Sequence, residues 1–210
     1  MRLNAEKTSV MIFNFTYNYQ FSTRLYLQDT LLNIVNETKL LGTWISSDLT
    51  WWKNTNYITR KAFQKLEIVR RLYEFNVSLP DLVLIYTLYV RSTLEFNCCV
   101  WHYNITKEET DDIERVQKVA CRVILKKDFI SYENALSTLN LTRLAERRNQ
   151  LCKKFALSCL KQEKSKDMFP LNPGSNTYLR QVDKYKVNFA KTGRLLNSAI
   201  PQMQRLLNEI

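Results

Sequence analysis

Glycine and proline are scarce in this chain, with 3 and 4 among 210 residues. So few turn-formers predict long helices and few tight turns. Gly-rich phosphate loops are excluded too, since neither a GxGxxG nor a GxxxxGKS/T pattern occurs. The only histidine is His102, which leaves no Ser/His/Asp triad and no H-E-x-x-H helix. None of the five cysteines (Cys98, Cys99, Cys121, Cys152 and Cys159) forms a C-x-x-C pair, and with one histidine no metal site is expected. Five thiols cannot all pair within one chain, and all five lie in apolar stretches of predicted helices. They read as reduced core thiols, which places the chain in an intracellular, reducing compartment. No apolar run reaches the ~18 residues that a membrane span needs. The stretch from Leu82 to Val90 comes closest, and Arg91 and Glu95 close it off. Residues 1–8 lack the apolar core of a signal peptide, so neither a leader nor a membrane partner is expected.

What the chain has in excess is positive charge. Lys and Arg number 31 against 20 Asp and Glu, a net charge of +11. A surplus this large points first to nucleic acid, ahead of an acidic protein or lipid surface. A hydrophobic content of 45% with 24% charged residues is that of a folded chain rather than a disordered one.

Pattern divides the chain unevenly. Residues 1–55 read as β-rich: Val10–Phe13 as a strand, then Arg24–Leu27 and Leu32–Val35 as hairpin arms around Asp29-Thr30. Leu40–Ile45 reads as a strand with Gly42 inside it, where glycine marks a bulge or a close backbone approach. Residues 56–163 read as helical. From Tyr57 to Tyr73, Ile58, Ala62, Leu66, Val69 and Tyr73 form one apolar face, with Arg60, Gln64 and Arg71 opposite and Lys61 and Lys65 beside them. Ser78-Leu79-Pro80-Asp81 starts a helix that runs to about Phe96. Thr106 to Glu109 is a capping box, opening a helix that buries Ile113, Val116, Ala120, Val123 and Ile124. A short helix around Tyr132–Leu139 follows, then a long one from about Thr142 to Lys161 with a stripe of Leu144, Leu151, Phe155, Cys159 and Leu160. Residues 164–210 read as a linker containing Pro170, Pro173 and Gly174, then a weak helix or extended tail bearing Arg180, Lys184, Lys186, Lys191 and Arg194. The fold class expected is α+β: a small antiparallel β region, then a mostly α-helical bundle.

A train of spaced motifs adds to this. Leu3-Asn4-Ala5-Glu6-Lys7-Thr8, Lys39-Leu40-Leu41-Gly42, Arg91-Ser92-Thr93-Leu94-Glu95-Phe96, Cys99-Val100-Trp101, Leu139-Asn140-Leu141 and Arg147-Arg148 follow one another along the chain. So does the ending, Asn197-Ser198-Ala199-Ile200-Pro201 before Leu206-Leu207-Asn208. Together they resemble the C-terminal part of the reverse transcriptases of non-LTR retrotransposons of the jockey and CR1 kind: the end of the palm, the thumb and the C-terminal extension. The resemblance spans nearly the whole chain and is specific only in aggregate. It begins after the strand on which such enzymes keep their paired aspartates. It therefore implies an RNA-directed DNA polymerase fragment that lacks its Mg²⁺ ligands, needs no cofactor of its own, and is inactive alone. The partners implied are a template–primer duplex and the missing upstream polymerase segment.

Carried onto this sequence, the resemblance gives Lys7 a contact with the incoming nucleotide's phosphates and gives Gly42 a place in the hairpin that holds the primer. It makes the helix from Tyr57 the start of the thumb, where Arg60, Lys61, Lys65, Arg70 and Arg71 would track duplex phosphates. The ordinary alternatives are a solvated lysine, a small residue in a buried strand and a solvated charged helix face. Asn54 stands where relatives often have His after Trp51-Trp52-Lys53, a sign of a degenerate copy. Trp51 and Trp52 read as packing the sheet against the helices, and Glu95 as the partner of a nearby arginine. Asp111-Asp112 is an acidic pair, but in the first turns of a helix acids meet the dipole and stay in water. Two-metal chemistry needs carboxylates converging from separate strands, so no catalytic or metal-binding residue is assigned. Two other readings remain open: a helical protein-interaction module with a basic surface, and a non-functional mobile-element remnant.

Overall fold

The computed structural model describes residues 4–15, 24–172 and 183–209. Leu3 of the first motif, and Pro173, Gly174 and Arg180 of the expected linker and tail, lie outside these. The chain is α+β, with small sheets near the N-terminus followed by helices. It divides into two compact units, Met1–Asn56 and Tyr57–Ile210.

The first unit holds three two-stranded pairings. Asn4 caps a 3₁₀ turn, Ala5–Lys7, its Oδ1 accepting from the backbone N–H groups of Glu6 and Lys7. Strand β1 (Ser9–Val10) pairs in parallel with β4 (Asn33–Ile34). Between them, β2 (Tyr26–Leu27) and β3 (Thr30–Leu31) make an antiparallel hairpin. Its turn is Gln28-Asp29, one residue before the expected one, with φ of 49° and 62°. The arm expected over Leu32–Val35 instead carries β4 to its parallel partner.

Strands β5 (Glu37–Leu40) and β6 (Thr43–Ser46) pair antiparallel. The single strand expected over Leu40–Ile45 is thus the tip of a hairpin. Leu41 and Gly42 occupy its turn with φ of 46° and 90°. Positive φ at both central residues is the signature of a turn whose twist matches the flanking strands. Glycine adopts it without a Cβ penalty. Gly42 therefore serves a turn rather than a bulge.

Helix α1 (Trp52–Glu74) starts in the first unit and runs through the second. The two tryptophans at its start divide their roles: Trp51 is buried, whereas Trp52 is 62% exposed. Asn54 is buried and its Oδ1 accepts the backbone N–H of Trp44 on β6, while Lys53 pairs with Glu37 of β5. An amide at this position thus ties the hairpin to the helix start.

In the second unit, Ile58, Ala62, Leu66 and Val69 of α1 are buried as the periodicity requires, and Tyr73 is exposed with Lys126 over its ring. Ser78 caps α2 (Leu79–Ile85), which continues through a π-helical segment, Tyr86–Arg91, into α3 (Ser92–Glu95). Asn97, in the left-handed region at φ 51°, turns the chain into α4 (Cys98–Trp101). Helix α5 (Lys107–Leu125) carries the full capping box and buries all five expected residues, together with Gln117. That glutamine accepts from Tyr86 Oη at 2.8 Å and donates to Tyr132 Oη at 3.0 Å and the Thr142 carbonyl at 2.9 Å. Its polar atoms are thus satisfied inside an apolar core, which makes its burial tolerable. Ser131 caps α6 (Tyr132–Thr138), and α7 (Leu144–Leu160) follows.

The segment beyond residue 164 is not a detached tail. After α8 (Gly193–Leu196), α9 (Ala199–Asn208) returns to α7, and Ala156, Cys159, Phe169, Met203 and Leu207 form a buried cluster. Each large side chain so covered contributes roughly 1.5–3 kcal/mol. This docking buries the C-terminal part of α7's inward face, at Ala156 and Cys159. Leu144, Arg148, Cys152, Ala156 and Cys159 face inward, while Phe155, expected in the stripe, is 47% exposed.

Candidate nucleic-acid interface and a cysteine cluster

The five cations of α1 expected to track phosphates separate into two groups. Arg60, Lys61 and Arg71 are exposed. Lys65 turns inward: its Nζ donates to the Tyr89 carbonyl at 3.1 Å and to Thr93 Oγ1 at 2.8 Å, and lies 4.3 Å from the centre of the Tyr89 ring. Burial, followed by the charge of Lys61, pulls its pKa below the ordinary lysine value. Arg70 pairs with Glu67 one turn earlier. The free face of α1 is therefore Arg60, Lys61 and Arg71, and Lys65 is a strut between α1 and the π-helical segment. Lys7 and Gly42 belong to the first unit: Lys7 is exposed at the end of the 3₁₀ turn, and Gly42 at the hairpin tip.

A second basic surface lies along α5. An open groove of about 750 Å³ runs along α5 and the start of α6. It is lined by Arg115, Lys118, Arg122 and Arg143 with Asp111, Glu114 and Glu133. The acids are largely committed. Glu114 accepts from Tyr132 Oη and the Leu144 backbone N–H, and Glu133 pairs with Arg143. Arg122 stacks over Phe129, leaving its donors outward. Arg115, Lys118 and Arg122 thus present net positive charge on a concave surface beside an aromatic ring, an arrangement that suits a phosphate chain. Their spacing along α5 was visible in sequence, but the concavity depends on α6 folding back.

Asp111 and Asp112 are exposed on the first turns of α5, as expected of dipole-facing acids. Glu95 lies between two arginines, 2.5 Å from Arg147 Nε and 3.6 Å from Arg91 Nε.

The cysteines are not scattered. The sulfurs of Cys98 and Cys99 on α4 and Cys152 on α7 all lie within 4.8 Å of one another, and all are free thiols. Hydrogen bonds with Cys152 and then Cys98 draw the Cys99 thiol well below its ordinary pKa, while hydrogen bonds with Cys98 and then Cys99 push Cys152 up. One turn before Cys152 stands Arg148, 0% exposed. Its Nε donates to His102 Nδ1 at 3.3 Å, and its guanidinium lies 5.6 Å from the Trp101 ring centre. Burial, followed by the Arg148 charge, holds His102 down at about 4. A cavity of about 350 Å³ opens over Cys98 and Cys99, walled by Leu151, Phe155, Ala199 and Met203. Sequence spacing missed this cluster because Cys152 arrives from a distant helix.

Among the described residues no helix is long and apolar enough to cross a membrane. No protein-family model matches the chain, and no curated protein or solved structure is significantly similar to it.

Proposed function

We propose that the chain is the C-terminal part of a non-LTR retrotransposon reverse transcriptase, and that it grips a template–primer duplex through sequence-indifferent phosphate contacts. The observation that carries this reading is a pair of exposed cation rows without an ion pair among the described residues: Arg60, Lys61 and Arg71 on α1, and Arg115, Lys118 and Arg122 along the α5 groove. Point charges on rigid helices hold a phosphate backbone in register without reading bases. The motif train from Lys7 to Arg148 supports assigning that duplex to a polymerase. Lys7 would reach nucleotide phosphates, and the β5–β6 hairpin with Gly42 at its tip would lie against the primer, once the aspartate-bearing segment is supplied.

An upstream palm segment, as this reading implies, would also cover apolar surface left open. Tyr26, Leu31, Ile34 and Leu40 are exposed on two-stranded pairings. Pairings of this size are marginal on their own. In the second unit, Leu84 and Leu88 are exposed along the helix that contains the π segment. These faces favour a protein partner as well as a duplex, and the partner that fits the reading is the rest of the palm.

The test is binding of the purified chain to an RNA–DNA hybrid and to heparin across a salt series. The reading expects a steep log–log slope for the hybrid, about −0.9 per phosphate contact, and no primer extension with Mg²⁺. Equal, shallow slopes for both polyanions would instead make the chain a protein-interaction module with a basic surface. Failure to bind either would leave a mobile-element remnant.

A further inference from the structure

The buried guanidinium of Arg148 has no counter-charge in hydrogen-bonding reach. Among the described residues, neither Nη1 nor Nη2 has a partner, although the side chain is 0% exposed. Its Nε meets a neutral acceptor, His102 Nδ1. A buried cation left this way is costly unless a negative group lies close by. Arg148 is not among the residues that line the cavity over Cys98 and Cys99. Its charge is supported electrostatically from a distance, by Glu114 first and then by Cys98, Glu95 and Cys152.

We propose that Cys98, Cys99 and Cys152 form a tri-thiolate site for a zinc ion, with Arg148 as its buried counter-cation. Three thiolates around a divalent ion leave one net negative charge, which one guanidinium neutralises. Cu(I) in the same site would leave a second negative charge, so the charge balance favours the divalent ion. Zinc–sulfur bonds of about 2.3 Å place tetrahedral sulfurs about 3.8 Å apart, and the three sulfurs already lie within 4.8 Å of one another. Cys98 and Cys99 are consecutive on a short helix whose entry Asn97 fixes in the left-handed region, and Cys152 comes from α7. The metal would therefore pin α4 to α7. The fourth position faces the cavity of about 350 Å³, which has room for water or an exogenous ligand. Binding displaces up to three thiol protons and involves no redox step.

Zinc itself is the probe. The full chain is reduced with a phosphine, stripped with a chelator, loaded with Zn²⁺ and passed through a desalting column, and its metal content is then measured. The expected result is one zinc per chain. Zinc should fall to background in Cys99→Ser and Cys152→Ser, and be kept in Cys121→Ser and Cys159→Ser. Cys99 is the least buried of the three ligands, so Cys99→Ser should fold, as circular dichroism would verify. Co²⁺ should give thiolate charge-transfer bands in the wild type but not in Cys99→Ser or Cys152→Ser. Arg148→Met should weaken zinc binding about 10–100-fold at unchanged stoichiometry. Background zinc in a folded wild type overturns the site, as does retention that survives both ligand substitutions. So does recovery of a disulfide from Cys152 to Cys98 or Cys99, in place of a zinc adduct, when the reduced chain is loaded with zinc.

Discussion

The ammonium of Lys65 donates to the backbone carbonyl of Tyr89 at 3.1 Å, so a cation that sequence places on the binding face of α1 instead braces that helix against the π-helical turn. Lys65→Gln is expected to cost about 1 kcal/mol of stability, the scale of a charged hydrogen bond in a partly solvated site. It should leave duplex affinity within about twofold. Chemical denaturation alongside a binding isotherm checks both. A loss of affinity without a loss of stability would return Lys65 to the binding face.

His102 makes stability sensitive to mild acid. Its imidazole titrates near its ordinary 6.5 in the unfolded chain and is held down to about 4 in the fold by burial, then by Arg148. Between those values the unfolded chain binds the extra proton and the folded chain does not. The contribution is therefore fully present above pH 6.5 and is lost progressively as pH falls toward 4, by up to about 3 kcal/mol. Denaturant unfolding in chelator and reductant at pH 7.5 and 5 should show this loss in the wild type. His102→Gln, which keeps an acceptor for Arg148 Nε, should flatten the pH dependence.

The β5–β6 turn holds a leucine in a conformation that leucine avoids. Leu41 has φ 46° and is 86% exposed, so its side chain gains nothing from packing. Leu41→Asn should stabilise the hairpin by about 0.5–1 kcal/mol. Gly42→Ala should destabilise it by about 1–2 kcal/mol. Amide exchange over residues 37–46 reports both changes locally.

Glu95 holds two arginines in a mostly buried position. Glu95→Gln leaves Arg91 and Arg147 facing each other and should cost about 2–3 kcal/mol. Pairing it with Arg147→Met in a double-mutant cycle should recover part of that loss. Strict additivity would place the cost elsewhere.

Helix starts and apolar faces were legible because their signals are local. Ser78, the Thr106–Glu109 box and the steps from Ile58 to Val69 each lie within a few turns of one another. The Glu95–Arg147 pair was anticipated as a pairing, though not in its partner. Long-range closure was not legible. The inward face of α7 is set by α4 at Arg148 and Cys152 and by α9 at Ala156 and Cys159, so a pattern that favoured Phe155 missed Arg148 and Cys152. Gly42 was misplaced by one structural step, since a continuous apolar run hides a two-residue turn until the pairing partner is known. Of the site residues, exposure could be guessed from helical phase for Arg60, Lys61 and Arg71. The inward turn of Lys65 depends on a π segment that no local pattern announced.

The central claim is phosphate gripping by α1, and the most direct measurement is hybrid-duplex affinity as a function of salt for the wild type and for Arg60→Glu/Lys61→Glu/Arg71→Glu. The account predicts that the variant stays folded, binds at least about tenfold more weakly at low salt, and has a log–log slope shallower by about 3. Unchanged affinity and slope in the folded variant would contradict it.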